Sequence, residues 1–138
     1  RLHEAGLSLA HSGYHRHGAY LIANSDMPGF SVDDQAIVAS VIRTHRRKIR
    51  FEYFTGLPGQ SFERAVRLAV IFRIAVLLNR GRTDTPHPKA SVSSSRRKLR
   101  LVFDDGWLDD NPLTVADLAE EAEQLRAVDF RLSFGPAA

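Results

Sequence analysis

Histidine is concentrated in the first third of this chain, where it stands beside arginine. Five of the six histidines precede residue 46, and His11, His15 and His17 fall within seven residues around Arg16. Neutral imidazoles are common transition-metal ligands, imidazole and guanidinium groups also donate hydrogen bonds to phosphate oxygens, and buried histidines bond to main-chain carbonyls. The residue types therefore predict a metal site, a phosphate site or a structural role, and leave the three open.

A second concentration of charge lies in residues 43–50, which hold five arginines and lysines in eight positions. On a continuous helix, Arg43, Arg46, Arg47 and Arg50 would form one stripe, because residues three and four apart share a face. Such a run is often a solvated helix end, but like charges repel, and an anionic partner would stabilise them. Stacking aromatics do not alternate with these charges, as they often do in single-strand binders. Phosphate of another kind is therefore favoured over nucleic acid.

Signatures of a self-contained hydrolytic centre are absent. The sequence has no glycine-rich phosphate loop, no nucleophile elbow and no His-Glu-x-x-His motif. It has no cysteine, which excludes disulfides, thiolate metal sites and cysteine nucleophiles. Its longest apolar stretch, residues 68–78, is far shorter than the ~20 residues that span a bilayer. We expect a cytoplasmic protein without membrane contact, and no catalytic residue in this chain.

Helices are predicted to position the charged clusters. Ser31 stands where a helix N-cap belongs, with Asp34 three residues later in the manner of a capping box. Apolar residues then recur at helical spacing up to Ile49, so this helix is expected to carry the basic run at its end. Residues 62–78 are apolar on nearly every side, which predicts a helix in the middle of a bundle. Arg73 interrupts them and is expected to extend its charge outward, with a buried ion pair as the alternative.

The rest of the chain has a different composition. Residues 79–95 are rich in glycine, threonine, proline and serine and are predicted to be a linker. Beyond them we expect a strand at Lys98–Phe103, a helix at 114–126 and a strand at 128–134. The predicted fold is mainly α, with a small C-terminal α+β unit, and divides into domains 1–82 and 83–138. Domain 1–82 has 12 basic against 6 acidic residues (+6) and domain 83–138 has 7 against 10 (−3), so the first should attract anions.

Several ordered segments resemble one known family. They are Leu-His-Glu-Ala-Gly-Leu at 2–7, His-Ser-Gly-Tyr-His-Arg-His-Gly-Ala-Tyr at 11–20, Asn-Ser-Asp-Met-Pro-Gly-Phe-Ser at 24–31, Val-Ile-Arg-Thr-His-Arg-Arg-Lys at 41–48, and residues 68–79. In this order they look like the C-terminal HD-like domain of the exopolyphosphatase and guanosine pentaphosphate phosphohydrolase family. The resemblance covers residues 1–82 closely, and 83–138 only by position and strand-helix-strand plan.

The resemblance implies a reaction and its location. It implies hydrolysis of inorganic polyphosphate, releasing terminal phosphate, or of guanosine pentaphosphate at its 5′ γ-phosphate. The acid/base carboxylate, the phosphate loops and a Mg²⁺ cofactor would belong to an actin-like domain absent from this chain, so the fragment alone should be inactive. We therefore expect the polyphosphate-contacting and dimerisation region of an exopolyphosphatase, forming a homodimer, with the guanosine pentaphosphate enzyme as the alternative.

The resemblance also implies a degenerate, metal-free HD-like bundle. HD enzymes bind metal through a histidine, a His-Asp pair and a later aspartate, but here the pair is His3-Glu4 and Val76 takes the later position. A self-sufficient HD metallophosphohydrolase and a nucleic-acid-binding module remain competing hypotheses. The expected phosphate donors come from separate helices and line one trough. They are His11, His15, Arg16, His17, Arg43, His45, Arg46, Arg47 and Lys48.

Overall fold

The computed structural model describes Glu4, residues 12–80 and residues 89–137. The chain forms two compact units, Arg1–Arg73 and Ile74–Ala138. Helices dominate the first unit, and the second combines helices with a three-stranded sheet, which confirms the mainly α fold with a small α+β unit. The predicted boundary between residues 82 and 83 lies outside the described residues and stays a prediction. Within those ranges, no helix has the length and apolarity that a bilayer crossing requires.

The first unit contains helices α1 (Tyr14–Asn24) and α2 (Val32–Thr44), a 3-10 turn at Phe51–Phe54, and helix α3 (Gly59–Leu78) as far as Arg73. The rest of α3, from Ile74, belongs to the second unit. The predicted cap of α2 is confirmed, since the Asp34 amide donates to Ser31 Oγ at 3.0 Å and Ser31 Oγ donates to the Asp34 carboxylate at 2.7 Å. Gln35 Nε2 donates to the carbonyls of Ile22 and Ser25 at 2.6 and 2.7 Å. This amide fixes the start of α2 against the end of α1.

The predicted basic stripe on one helix face is wrong, because α2 ends at Thr44. The side chain of Thr44 donates to the carbonyl of Ser40 at 2.8 Å, while the main-chain carbonyl of Thr44 accepts from Arg73 at 2.6 Å. That carbonyl would otherwise accept the amide four residues further along a continuing helix. Arg47 has a left-handed backbone, with φ 61°. Only Arg43 of the basic residues therefore lies on α2, and the others follow in a loop.

Helix α3 is less enclosed than predicted. Leu68 and Ile71 are exposed, so the helix is not buried on every side. The prediction that Arg73 extends outward is also wrong, because Arg73 is only 4% exposed. Its apolar stem lies in the core, while its guanidinium reaches the end of α2. The fully buried members of this unit's core include Phe54, Ala65, Val66, Ala69 and Val70.

The second unit contains strands β1 (Ala90–Ser95), β2 (Lys98–Phe103) and β3 (Arg131–Pro136), with helices α4 (Trp107–Asp110) and α5 (Pro112–Leu125) between β2 and β3. The sheet order is β1-β2-β3, antiparallel between β1 and β2 and parallel between β2 and β3. Strand β2 is confirmed with its predicted bounds. The last predicted helix and strand are both present, which confirms their type. Helix α5 begins two residues before the predicted start at 114, and β3 begins three residues after the predicted start at 128.

The prediction that all of residues 79–95 form a linker is wrong for Ala90–Ser95, which pairs along its whole length with β2. A serine-rich strand at a sheet edge can expose its side chains, so composition gave little sign of it. A tight turn that includes Arg96, with φ 54°, joins the two strands. Side chains from the sheet, α5 and the 3-10 turn that follows α5 form the buried core of this unit, among them Leu101, Phe103, Leu118, Leu125 and Val128.

Candidate anion-binding site

A pocket of about 320 Å³ in the first unit is lined by cations from three segments of the chain. Six of the nine predicted phosphate donors meet there, and no acidic side chain of the described residues lines the pocket. The first turn of α1 contributes two residues and α2 contributes one. The loop after α2 contributes three residues, and the 3-10 turn contributes one. They are His15, Arg16, Arg43, Arg46, Arg47, Lys48 and Tyr53. We call this the cationic pocket.

Two tyrosines lie against arginines of the cationic pocket. Arg46 Nη1 donates to the Tyr14 hydroxyl at 3.0 Å, and Arg46 Cζ lies 5.3 Å from the centroid of the Tyr14 ring. Arg43 Cζ lies 4.8 Å from the centroid of the Tyr53 ring. An aromatic face attracts a guanidinium through its quadrupole but carries no net charge. These contacts therefore orient the arginines and leave their positive charge available to an anion.

Sequence reasoning did not select either tyrosine as a site residue. Tyr14 stands inside the histidine-rich segment, so its neighbours gave a signal. Tyr53 lies beyond the basic run and gave none. The sequence correctly showed that aromatics do not alternate with the charges of residues 43–50, but folding brings Tyr14 and Tyr53 to them from outside that run.

Arg50 differs from the arginines of the cationic pocket, although it belongs to the same basic run. It does not line the pocket, and its Nη1 lies 3.2 Å from Glu52 Oε1. Both side chains are more than half exposed, so this ion pair is of the weak surface kind. Arg50 therefore offers a matched comparison for the pocket arginines.

The pKa of His15 is affected by the positive charges of the cationic pocket. It is a buried residue in the first turn of α1. Burial lowers the pKa of His15 below its ordinary value of 6.5, and the charges of Arg16, Arg47, Arg46 and Arg43 lower it further. Both effects disfavour the charged imidazolium. An anion in the pocket would offset the effect of the arginines.

Two of the other predicted histidines, His45 and His17, do not line the pocket. His45 is only 2% exposed, and its Nδ1 is hydrogen-bonded to the Ile42 carbonyl at 2.6 Å. Its ring packs 5.8 Å from that of Tyr14 and 6.0 Å from that of Phe72, measured between centroids, so it supports the pocket from behind. This is the structural role that the sequence left open. His17 is exposed on α1 outside the pocket lining, and His11 lies outside the described residues.

A second depression of about 530 Å³ adjoins the cationic pocket and shares three lining residues with it, Arg16, Arg43 and Tyr53. We call it the neutral groove, because its remaining lining is uncharged. These residues come from facing sides of α1 and α2. They are Ala19, Tyr20, Ala23, Asn24, Ala39 and Ser40.

The described residues do not fit a magnesium site. Among them, no three histidine, aspartate or glutamate side chains are grouped so that they could hold a metal ion. Magnesium prefers oxygen ligands, whereas the cationic pocket is lined chiefly by positive charges. The family resemblance implies that Val76 takes the position of the later HD aspartate, and the side chain of valine has no atom that could bind a metal ion. His3 of the His3-Glu4 pair lies outside the described residues.

The sequence of this chain is similar to one family of known proteins. Residues 1–122 match the family model described as Ppx/GppA phosphatase, domain III. Similar curated proteins include one from Pseudoalteromonas translucida, 33% identical over 132 residues, and one from Vibrio vulnificus, 35% identical over 135 residues. Each alignment covers 96% of this chain and 26% of the relative. Both relatives are named guanosine-5′-triphosphate,3′-diphosphate pyrophosphatase. The chain thus spans about a quarter of the length of these relatives.

Proposed function

This chain belongs to the Ppx/GppA phosphatase family, and from this premise we propose that its cationic pocket binds the phosphate groups of guanosine pentaphosphate. The names of the similar curated proteins support this substrate over the polyphosphate that the sequence first suggested. The observation that carries the proposal is the pocket itself, where five arginine and lysine side chains and His15 meet, with no acidic residue from the described ranges 12–80 and 89–137 in its lining.

The lining of the cationic pocket suits a polyanion with several phosphate groups. Arginine presents a fork of N–H donors that matches phosphate oxygens, and lysine adds a compact charge. Hydrogen bonds that involve charged groups contribute about 1.5–3 kcal/mol each. Arg43 and Arg46 rest on tyrosine rings, so less of their freedom is lost when an anion binds. Such a pocket would favour ligands with adjacent phosphates over a single phosphate.

In this proposal the chain binds substrate and does not break the phosphoanhydride bond. Hydrolysis would take place in the actin-like domain that the family resemblance implies, with Mg²⁺ bound there. We assign no catalytic residue to this chain. If the 138-residue chain alone hydrolysed phosphate esters with a stoichiometric metal ion, the self-sufficient HD hypothesis would replace this one.

The proposal is tested in the whole phosphatase that contains this chain. We expect the double substitution Arg46→Ala and Arg47→Ala to lower kcat/KM for guanosine pentaphosphate at least about tenfold, equivalent to about 1.4 kcal/mol of lost interaction. Arg50→Ala should change kcat/KM less than about twofold, because Arg50 lies outside the pocket and pairs with Glu52. Equal values for the double variant and the unsubstituted enzyme would refute the proposal.

Polyphosphate is the second candidate substrate, because a row of adjacent cations recognises repeated phosphates whatever is attached to them. Under this alternative the Arg46→Ala and Arg47→Ala enzyme would lose activity on long polymers more than on short ones. If RNA or DNA of equal charge outcompeted polyphosphate for the chain, a nucleic-acid-binding module would be favoured instead.

The HD-like bundle and the homodimer expected from the family resemblance also belong to the proposal, as does the cytoplasmic location expected from composition and hydropathy. Light scattering of the whole phosphatase tests the dimer, since a monomeric mass at micromolar concentration would refute the proposed dimer. Fractionation of cells that produce the phosphatase tests the location.

A further inference from the structure

The neutral groove differs in chemistry from the cationic pocket that it adjoins. Three alanines, Ala19, Ala23 and Ala39, give it a low apolar wall, while Tyr20 stands beside them 68% exposed. Its volume of about 530 Å³ falls within the range of roughly 300–1,000 Å³ that is usual for small-molecule sites. An exposed tyrosine beside small residues leaves room for a flat ring against its face.

Along one face of α1, a charged, an aromatic and an amide side chain follow one another. Arg16, Tyr20 and Asn24 follow one another at four-residue intervals and therefore lie on one face of α1. Asn24 Nδ2 donates to the Tyr20 carbonyl at 2.9 Å, so the amide is held in place with Oδ1 as its acceptor. Ser40 Oγ donates to the Ala36 carbonyl at 2.9 Å and retains an acceptor lone pair.

The groove thus combines an aromatic face with fixed hydrogen-bond acceptors. A nucleobase has a planar face that stacks on aromatic side chains, and its edge carries N–H donors. A bare phosphate chain has neither feature and gains nothing from the face of a tyrosine ring, from alanine or from an amide oxygen. The shared residues Arg16, Arg43 and Tyr53 connect this lining to the cationic pocket.

We infer that the neutral groove is a nucleoside subsite, in which a base stacks on Tyr20 near Asn24 while its phosphates occupy the cationic pocket. This inference rests on the proposed function, because it requires the cationic pocket to bind phosphates. It makes Tyr20 a determinant of specificity that selects nucleotides over inorganic polyphosphate.

The test compares two ligands with the same number of phosphates. Binding of guanosine 5′-triphosphate and of inorganic tripolyphosphate to the 138-residue chain is measured by calorimetry at fixed ionic strength without divalent cations. We expect the nucleotide to bind about tenfold more tightly, the factor that corresponds to about 1.4 kcal/mol. Tyr20→Ala should abolish this advantage and leave tripolyphosphate binding unchanged, whereas Tyr20→Phe should keep it. Phe30→Ala, another exposed aromatic outside both pockets, is the control and should change neither affinity.

The outcomes separate the inference from the proposed function. If tripolyphosphate binds and the nucleotide binds no more tightly, the nucleoside subsite is refuted and the phosphate pocket stands. An equal loss of both ligands in Tyr20→Ala would also refute the subsite, because it would show a general effect on the pocket. If the unsubstituted chain binds neither ligand, both the subsite and the proposed function fall.

Discussion

Arg73 donates from Nη1 to the main-chain carbonyl of Thr44 at 2.6 Å and so joins the middle of α3 to the last residue of α2. The guanidinium is buried, and a positive charge at a helix C-terminus interacts favourably with the helix dipole. Arg46, Arg47 and Lys48 begin two residues after Thr44. The contact therefore stabilises the end of α2, next to the loop that carries Arg46, Arg47 and Lys48.

Replacing Arg73 should weaken both the fold and the pocket. We expect Arg73→Met to lower the free energy of unfolding by about 1.5–3 kcal/mol, because a buried carbonyl loses a charged donor. Urea denaturation of the 138-residue chain measures this. Arg64→Met, at an exposed position of α3, is the control and should cost less than about 0.5 kcal/mol. Equal values for the two variants would show that the contact contributes nothing.

Removing one pocket cation should reduce the salt dependence of anion binding. By analogy with counterion release from nucleic acids, each lost phosphate contact lowers the slope of log affinity against log salt by about 1. We expect this change for Arg46→Ala or Arg47→Ala with long-chain polyphosphate as the probe in fluorescence titrations. Arg50→Ala should keep the original slope. The same slope in all three variants would place the bound anion elsewhere.

Acid should strengthen anion binding through His15. Burial and four arginines hold the pKa of His15 below 6.5, so the neutral ring predominates at pH 7. A bound anion favours the protonated ring and therefore raises the pKa of His15. At pH values between the pKa of His15 in the free protein and in the complex, anion binding is accompanied by uptake of a proton. We expect affinity for sulfate, whose charge is constant here, to rise as pH falls from about 8 to 5. His15→Gln should flatten this profile and His17→Gln should keep it. A rise that survives in His15→Gln would exclude His15 as its cause.

Without an anion, the lowered pKa of His15 should make the folded chain less stable in acid. The unfolded chain binds a proton at His15 more readily than the folded chain does, because its pKa is the ordinary 6.5. The contribution of His15 to the free energy of unfolding is thus fully present above 6.5 and is lost as pH falls towards the lowered pKa. Denaturation at several pH values should show this loss, and it should be smaller in His15→Gln or with sulfate present. A pH dependence unchanged by either would contradict the assignment.

Tyr14 should act on anion binding only through Arg46. Tyr14→Phe keeps the ring but removes the hydroxyl that accepts from Arg46, at a cost of about 0.5–1.5 kcal/mol in tripolyphosphate binding. In a background of Arg46→Ala the same substitution should have no effect, giving a non-additive double-mutant cycle by calorimetry. Additive losses would mean that the hydroxyl contacts the anion itself.

Local signals in the sequence were sufficient for several elements. The start of α2 was predictable because Ser31 and Asp34 are near neighbours that satisfy each other's hydrogen bonds. Strand β2 was predictable from its composition and flanking turn. The sequence also singled out six of the seven residues that line the cationic pocket, because their imidazole, guanidinium and ammonium groups donate hydrogen bonds to phosphate oxygens.

Contacts between distant residues decided the rest. Arg73 and Thr44 are 29 positions apart, and Tyr14 and Arg46 are 32 apart. The end of α2, the burial of Arg73 and the placing of tyrosine rings against arginines all depend on such contacts, for which no local periodicity gives a signal. The amino-acid sequence by itself determined which charges are present and where α2 begins. Tertiary packing determined which charges meet, because hydrogen bonds and ring contacts depend on distances in space.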